Sequence, residues 1–349
     1  MNDLRSDPAL LPTASLRVLR FRAEMLDWVR QFFRGRGYWE VETPLLSHDV
    51  CVDVWLEPFA VEVNSNGHPS QMFLQTSPEF GMKRLVAAGA EAIFQVTRAF
   101  RQEESGPLHN PEFTIVEWYR VGETYHQQMD LVERLVTGFS QYAAHLSTEM
   151  EGLNFRNCVV SSLVCPFPRI TYEEAFRQVT GKSVMGMSAI ELSDLAESFG
   201  IRGPESLRQD DRDGWLNLIL TEVVEPRLEE QSAVFVYDYP SSQAALARIS
   251  EADPAVAERF ELYLNGIEIC NGYQELTDVN ELRRRQSEHS RRRQQEGLPA
   301  LPEDNRLVSA LELGLPECSG VALGFDRLLL SALQMDTLSE VVAFPFDRA

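Results

Sequence analysis

From Glu258 to Asp278 the chain reads ERFELYLNGIEICNGYQELTD, two alternating runs joined by Asn265-Gly266. That dipeptide between alternating runs is the strongest short-range signal for a two-residue β-hairpin. The turn pairs Leu264 with Ile267 and Tyr263 with Glu268, and directly opposed residues share a sheet face. Glu261 joins that face by the two-residue period, so Glu261 and Glu268 are diagonal neighbours, roughly 6–8 Å apart at Cβ. Geometry ranks two readings evenly: a pair of exposed glutamates, or a pair holding a hard cation such as Mg²⁺, which also takes phosphates and water. Glu275 lies seven residues past Glu268, so an unbroken strand would turn it to the other face. A bulge at Asn271-Gly272 is the expected remedy.

A second polar stretch runs from Phe100 to Arg120, FRQEESGPLHNPEFTIVEWYR. It reads as strand, loop, strand. Arg101 and Glu103 would share one face, as would Glu117 and Tyr119 on the return strand. Glu104 to Pro111 has loop composition, with His109 and Asn110 near its end. An arginine there can clamp a phosphate, and the carboxylates can hold an ammonium. Taken alone, an Arg-x-Glu pair is more often a surface hairpin with a salt bridge.

The 349 residues suffice for one large domain or two ordinary ones. No apolar run approaches the ~18–20 residues of a membrane helix, and the N-terminus lacks a secretory pattern. Five scattered cysteines, Cys51, Cys158, Cys165, Cys270 and Cys318, form no CxxC pair. Neither a zinc site nor a disulfide framework is indicated, and the expected compartment is cytoplasmic. A net charge of −21 argues against a nucleic-acid partner. The basic cluster Arg283 to Arg285 with Arg291 to Arg293 reads as a solvated helix face.

Residues 1–14 read as a loose tail. Helical spacing follows from Ser15, a candidate cap, to Arg36, with Gly37 as the stop. Asp53 to Val63 alternates as a strand, and Asn64 to Ser70 reads as a loop. In TSPEFGMKRL, Thr76 or Ser77 can cap a helix, Pro78 suits its first turn and Glu79 favours its positive end. A mainly helical region covers about 126–230, with a loop at 150–168. Asp210, Asp211 and Asp213 read there as a solvated helix start rather than a metal site. Val234 to Tyr239 is a strand, and Leu301 to Leu311 is helical. Gly320 and Gly324 permit close backbone approach, and Asp326-Arg327 opens an apolar helix.

In this order the pieces resemble the three motifs of class II aminoacyl-tRNA synthetases. The first helix with GYWEVETPLLS is similar to motif 1, Phe100 to Arg120 to motif 2, and CSGVALGFDRLLLSAL to motif 3. HNPEFT with Glu117 and Tyr119, and NGYQELTD, resemble the lysyl branch. The likeness covers Ser15 to Ala349, with the anticodon-binding domain missing. It implies an α+β catalytic domain over 15–349, an antiparallel sheet flanked by helices, with motif 1 as a homodimer interface. It also implies ATP and Mg²⁺. Arg101 and Arg327 would be catalytic, on the α- and γ-phosphates. Gln102, Glu103, His109, Asn110, Glu268, Ile269 and Gly324 would complete the ATP site, and Glu261 with Glu268 would hold the metal. Ser77, Pro78, Glu79, Glu117, Tyr119, Asn271, Tyr273, Glu275 and Ala322 would line the amino-acid pocket.

The chain is most similar in pattern to truncated lysyl-synthetase paralogues, the ligases that join (R)-β-lysine to elongation factor P. Ser77 and Ala322 stand where lysyl synthetases have Ala and Gly, whereas Gly81 departs from the His of those ligases. This resemblance implies elongation factor P as acceptor, (R)-β-lysine as substrate, no tRNA and no membrane. Three other readings stay open: a tRNA-charging enzyme reading only the acceptor stem, an amine-dependent ligase of free amino acids, and a non-catalytic synthetase-like binding protein. Retention of both Arg101 and Arg327 counts against the last.

Overall fold

The Asn265-Gly266 turn forms as read, with both residues at positive φ, 48° and 77°, the signature of a type I′ turn. Leu264 faces Ile267 and Tyr263 faces Glu268 across it. The computed structural model describes residues 10–54, 56–65, 67–150 and 163–349. Residues 1–9 of the expected tail, Cys158 and most of the 150–168 loop lie outside them. Thr13 and Ala14 belong to the fold rather than to a tail, because their N–H groups bond the carbonyls of Ala343 and Val342.

Helix α1 (Leu16–Arg34) is capped by Ser15, whose hydroxyl accepts from the Val18 N–H. Val18, Phe21, Met25, Val29 and Phe32 form its buried stripe. Strand β1 (Trp39–Glu40) follows. Strands β2 (Leu46–Ser47), β3 (Ala60–Ser65) and β4 (His68–Leu74) make a small three-stranded sheet. The strand expected from Asp53 thus begins only at Ala60. Before it, the Asp53 and Glu57 carbonyls are taken by Arg293 and by the Gln102 N–H instead of a ladder. The loop expected at Asn64 to Ser70 is largely paired strand, with Ser65 opposite His68.

Helix α2 (Glu79–Ala87) leads into β5 (Ala92–Phe100) and β6 (Glu112–Val121), and then α3 (Tyr125–Glu149). Strand β7 (Arg169–Thr171) precedes α4 (Tyr172–Thr180), α5 (Ala189–Ser198), α6 (Arg212–Ile219), a π-helical turn (Leu220–Val224) and α7 (Glu225–Leu228). Strands β8 (Ala233–Pro240), β9 (Val256–Leu264) and β10 (Ile267–Gln274) come next, then α8 (Val279–Gln295) and α9 (Arg306–Leu313). The expected helix start at Leu301 moves to Arg306 because the Asn305 side chain caps there. Strand β11 (Cys318–Gly324) runs directly into α10 (Phe325–Leu333).

The main sheet has the order β1-β5-β6-β11-β10-β9-β8-β7. Its edge pairs β1–β5 and β7–β8 are parallel, and the pairs between are antiparallel. This is the expected antiparallel-dominated α+β architecture. One face carries Phe94, Val116, Trp118, Val321, Leu323, Phe260 and Leu262, buried in one core with apolar residues of α1, α3 and α10. Helices α4 to α7 gather a second core around Tyr172, Phe176, Trp215 and Leu216. The opposite face of the central strands carries ionisable side chains.

The basic cluster on α8 is not a solvated face throughout. Arg284 is exposed and pairs with Glu281 and Glu288. Arg285 instead donates to the carbonyls of Ala245 and Ala247. Arg293 is fully buried against Glu57, the Asp53 carbonyl and the Pro299 carbonyl. Asp211 caps α6 as expected but also pairs with Arg292 at 3.0 Å. Removing one partner of a buried ion pair strands the other charge. Arg293→Ala is therefore expected to cost roughly 3–5 kcal/mol of stability, seen as a lower urea midpoint with an unchanged slope.

Candidate active site

Cross-strand register lays the polar face out as a grid. One row holds Glu117, Ala322, Asn271 and Glu261, each opposed to the next. The next row holds Tyr119, Gly320, Tyr273 and Arg259. All eight line a cavity of about 570 Å³. Strand β11 supplies its small floor, Gly320, Ala322 and Gly324. Gly320 is required there: a Cβ would lie 2.3 Å from the Tyr119 ring and 2.5 Å from Glu275 Oε1.

The grid depends on a bulge, but not at Asn271-Gly272. Register shifts between Glu268 and Cys270, so Ile269 is the extra residue. This places Asn271 opposite Glu261 and turns Asn271, Tyr273 and Glu275 to the face of Glu268. Gly272 stays in the regular ladder. Its missing side chain makes room for the Phe260 ring, which a Cβ would approach to 2.4 Å.

One end of the cavity is a carboxylate pocket. The hydroxyls of Ser77 and Tyr119 donate to Glu117 at 2.6 and 2.8 Å. Lys83 Nζ lies 2.5 Å from Glu79 and 2.6 Å from Glu275. Lys83, Glu117 and Glu275 are each at most 2% exposed. Burial, then the nearby Glu79 charge, pushes the Glu117 carboxyl up to about 8. Burial pushes Glu275 up to about 7 against the opposing pull of Lys83. For Lys83 burial favours the neutral amine, but Glu275 and Glu79 outweigh it and hold the ammonium charged. The Asn271 amide oxygen is buried without a hydrogen-bond partner. An orphaned buried acceptor beside three carboxylates suits a ligand bearing ammonium groups.

The other end is lined by arginines. Strand β5 stops at Phe100, so Arg101 sits just past it and pairs with Glu104 at 3.0 Å. Glu103 lies in the turn and is exposed, so the shared strand face of Arg101 and Glu103 does not form. Arg327, in the first turn of α10, donates to the Leu108 carbonyl and to the Glu268 carbonyl and carboxylate, at 3.0–3.2 Å. It also lies 2.6 Å from His109 Nε2. Burial and the Arg327 charge lower the His109 pKa. Asn110 donates to the Glu112 carbonyl and accepts from the Phe346 N–H, tying the loop to the C-terminus.

Glu261 is held by its neighbours. Tyr239 and Tyr263 donate to one oxygen and Arg259 to the other, each at 2.6 Å. Burial and the Glu261 charge raise the Glu268 pKa. Burial, Glu261 and Glu268 bring Glu225 of α7 up to about 7. Among the described residues, no group of three or more His, Cys, Asp or Glu is arranged to hold a metal ion. The repelling pair Glu261 and Glu268 nevertheless fits a cation that draws most of its ligands from phosphates and water, as Mg²⁺ does.

Ser77, Glu79, Arg101, His109, Asn110, Glu117, Tyr119, Glu261, Glu268, Ile269, Asn271, Tyr273, Glu275, Ala322, Gly324 and Arg327 come together around this one cavity. Pro78, Gln102 and Glu103 do not line it; Pro78 sits at the N-cap of α2. Sequence reasoning missed Lys83, Arg259, Tyr239, Glu225 and Glu104. The i,i+4 spacing of Glu79 and Lys83 and the i,i+2 spacing of Arg259 and Glu261 were the available signals.

The sheet, its three motifs and this cavity define a class II synthetase catalytic fold. The chain belongs to the family of class II tRNA synthetases (D, K and N), which it matches over residues 10–348. It is similar to the elongation factor P–(R)-β-lysine ligase of Vibrio cholerae, with 42% identity over 344 residues, 97% of this chain and 98% of that one. The ligases of the same name from Vibrio parahaemolyticus and Pectobacterium atrosepticum are also 42% identical, over 343 and 340 residues, with the same coverage. Among the described residues, no helix is long and apolar enough to cross a membrane.

With its pKa near 8, Glu117 is mostly protonated at neutral pH in the empty pocket. An arriving ammonium favours the carboxylate, so binding expels a proton. Affinity for a ligand that sets an ammonium group against Glu117 is therefore expected to rise with pH toward ~8, by at most about 10-fold per unit, and then to level off. Calorimetric titration across pH checks this, and Glu117→Gln should weaken binding and flatten the profile.

Proposed function

We propose that this chain activates (R)-β-lysine with ATP and joins it to a lysine side chain of elongation factor P. The observation that carries the reading is one cavity with a buried carboxylate pocket at one end and Arg101 and Arg327 at the other. The similarity to ligases of that name over 97% of the chain supports the choice of substrate and acceptor.

A substrate carboxylate oxygen attacks the α-phosphorus of ATP, the α–β phosphoanhydride bond breaks, and pyrophosphate leaves. Arg101 meets the α-phosphate. Arg327 meets the γ-phosphate, exchanging its contacts to Leu108, His109 and Glu268 for phosphate oxygens. Both offer charge where charge develops. Mg²⁺ on Glu261 and Glu268 would supply further charge neutralisation on the phosphates. No side-chain nucleophile is needed, because positioning and electrostatics carry such a step. Glu117 and Tyr119 hold the distal ammonium with Glu275 behind them, Glu79 the other amine, and Asn271 completes the orientation. The acceptor ε-amine then attacks the carbonyl carbon of the acyl-adenylate. The C–O bond to AMP breaks, the amine loses a proton, and an amide forms.

The Ser77 hydroxyl and Ala322 methyl reshape the space around the amines. Two copies pair through the α1 and β1 region, where Leu16, Trp39 and Leu45 are large apolar side chains exposed to solvent. The working compartment is the cytoplasm, and no tRNA is charged.

Intact mass of the organism's elongation factor P, after incubation with this protein, ATP, Mg²⁺ and either lysine isomer, tests the reading. The expected result is a gain of one lysyl unit, faster with (R)-β-lysine. Charging of tRNA in a filter assay, without any mass gain, would replace it. Arg327→Ala is expected to lower ATP–pyrophosphate exchange by roughly 10²–10³-fold in a folded protein, and full activity in that variant would sink the adenylation step.

A further inference from the structure

Lys83 is a buried cation at the site that the reaction above does not use. Its Nζ sits between Glu79 and Glu275. Those two carboxylates line the cavity, as Glu117 does, whereas Lys83 itself does not. The ammonium thus lies behind the carboxylate layer. Glu79 faces it from its own helix and Glu275 from the segment after β10. Glu117 and Tyr119 of β6, Tyr273 of β10, Cys318 of β11 and Cys51 are other titratable groups close to this cluster. With Glu117 ionised, as an arriving ammonium makes it, three carboxylates and one ammonium leave the pocket with two formal negative charges, the number of ammonium groups on a diamino acid.

We propose that Lys83 is a resident ammonium that fills the innermost cation position, keeps Glu79 and Glu275 as fixed carboxylates, and so confines a substrate's two ammonium groups to the outer positions facing Glu79 and Glu117. The inference rests on the diamino-acid reading of the site and names Lys83 as its positioning and selectivity residue. Without Lys83, the vacated position is the most negative point in the pocket. Where the space is left open, as in Lys83→Ala, a substrate amine drops into it and the carboxylate is drawn back from the phosphate end. Where it is filled, as in Lys83→Met, Glu79 and Glu275 lose the cation that fixes them and no longer set the substrate's ammonium groups in place. Binding survives but turns unproductive, so kcat falls while KM does not rise. An ion pair that served only packing would show no such split.

The test is ATP–pyrophosphate exchange with (R)-β-lysine and with lysine. It compares the wild type, Lys83→Ala, Lys83→Met, and the double variant Lys83→Met/Glu275→Gln, which returns the pocket to two formal charges. Both single variants are expected to lose roughly 100-fold in kcat. Methylammonium chloride, but not potassium chloride at equal concentration, should restore Lys83→Ala by about 10-fold or more. It should not restore Lys83→Met, whose side chain fills the space, while the double variant should outperform Lys83→Met. Should Lys83→Ala fail to fold, the two Met variants carry the test. A folded Lys83→Met with wild-type kcat and KM overturns the proposal. So does a loss that neither methylammonium nor the Glu275 change relieves. A wild type that exchanges with neither isomer strikes the diamino-acid reading, and this inference falls with it, whereas a competent wild type with indifferent variants strikes the inference alone.

Discussion

One inserted residue sets the layout of the site. Side chains alternate along a strand, so every position past Ile269 would face the other way without the bulge there. Asn271, Tyr273 and Glu275 would then enter the apolar core, and Cys270 and Gly272 would floor the cavity. Instead β10 serves the cation end with Glu268, and the residue just past its end, Glu275, serves the carboxylate pocket. The rigid apolar face beneath holds the register, because shifting it would expose Phe260 and Leu262 and bury charge. Packing energy on one face thereby fixes chemistry on the other.

That arrangement gathers charge where water is scarce. Lys83, Glu117, Glu261 and Glu275 are buried and Arg259 is half-buried, and each charge is tolerated because an opposite charge or hydrogen-bond donors face it. Such pairs contribute little net stability. What they contribute is position: two tyrosines and an arginine hold Glu261 so that it cannot swing away. The pocket end is less fully satisfied, with Glu117 and Glu275 raised toward neutral pH and the Asn271 oxygen unpaired. A cationic ligand would complete these groups.

Local pattern made much of this legible. The Asn265-Gly266 turn, the Ser15 cap, the Glu117–Tyr119 face and the shared face of Glu261 and Glu268 all follow from periods of two residues or from capping chemistry. The misplaced features depend on tertiary partners. The bulge moved from Gly272 to Ile269 because the Phe260 ring needs the glycine. The strand expected from Asp53 is lost because Arg293, 240 residues away in sequence, takes its carbonyl. The basic run on α8 looked uniformly solvated, since nothing local separates Arg284, outside, from Arg293, inside. Lys83 was passed over for a similar reason. Its neighbour Glu79 was visible four residues away, but Glu275, which makes the contact a buried triad, arrives from across the sheet.

The small floor of β11 connects the two ends. Alternate residues on a strand are about 6.7 Å apart, so Gly320, Ala322 and Gly324 span roughly 13 Å from the carboxylate pocket toward Arg327. Larger side chains flank this trough: Tyr119 and Glu117 on one side, Tyr273 and Asn271 on the other. The proposed substrate, with cationic groups at one end and a carboxylate at the other, would lie along β11 with its carboxylate toward the arginine-lined end. In the proposed reading the backbone spacing of β11 sets how far the phosphate end lies from the carboxylates, and Ala322, at the midpoint, adds the one methyl group to a floor otherwise made of Gly320 and Gly324.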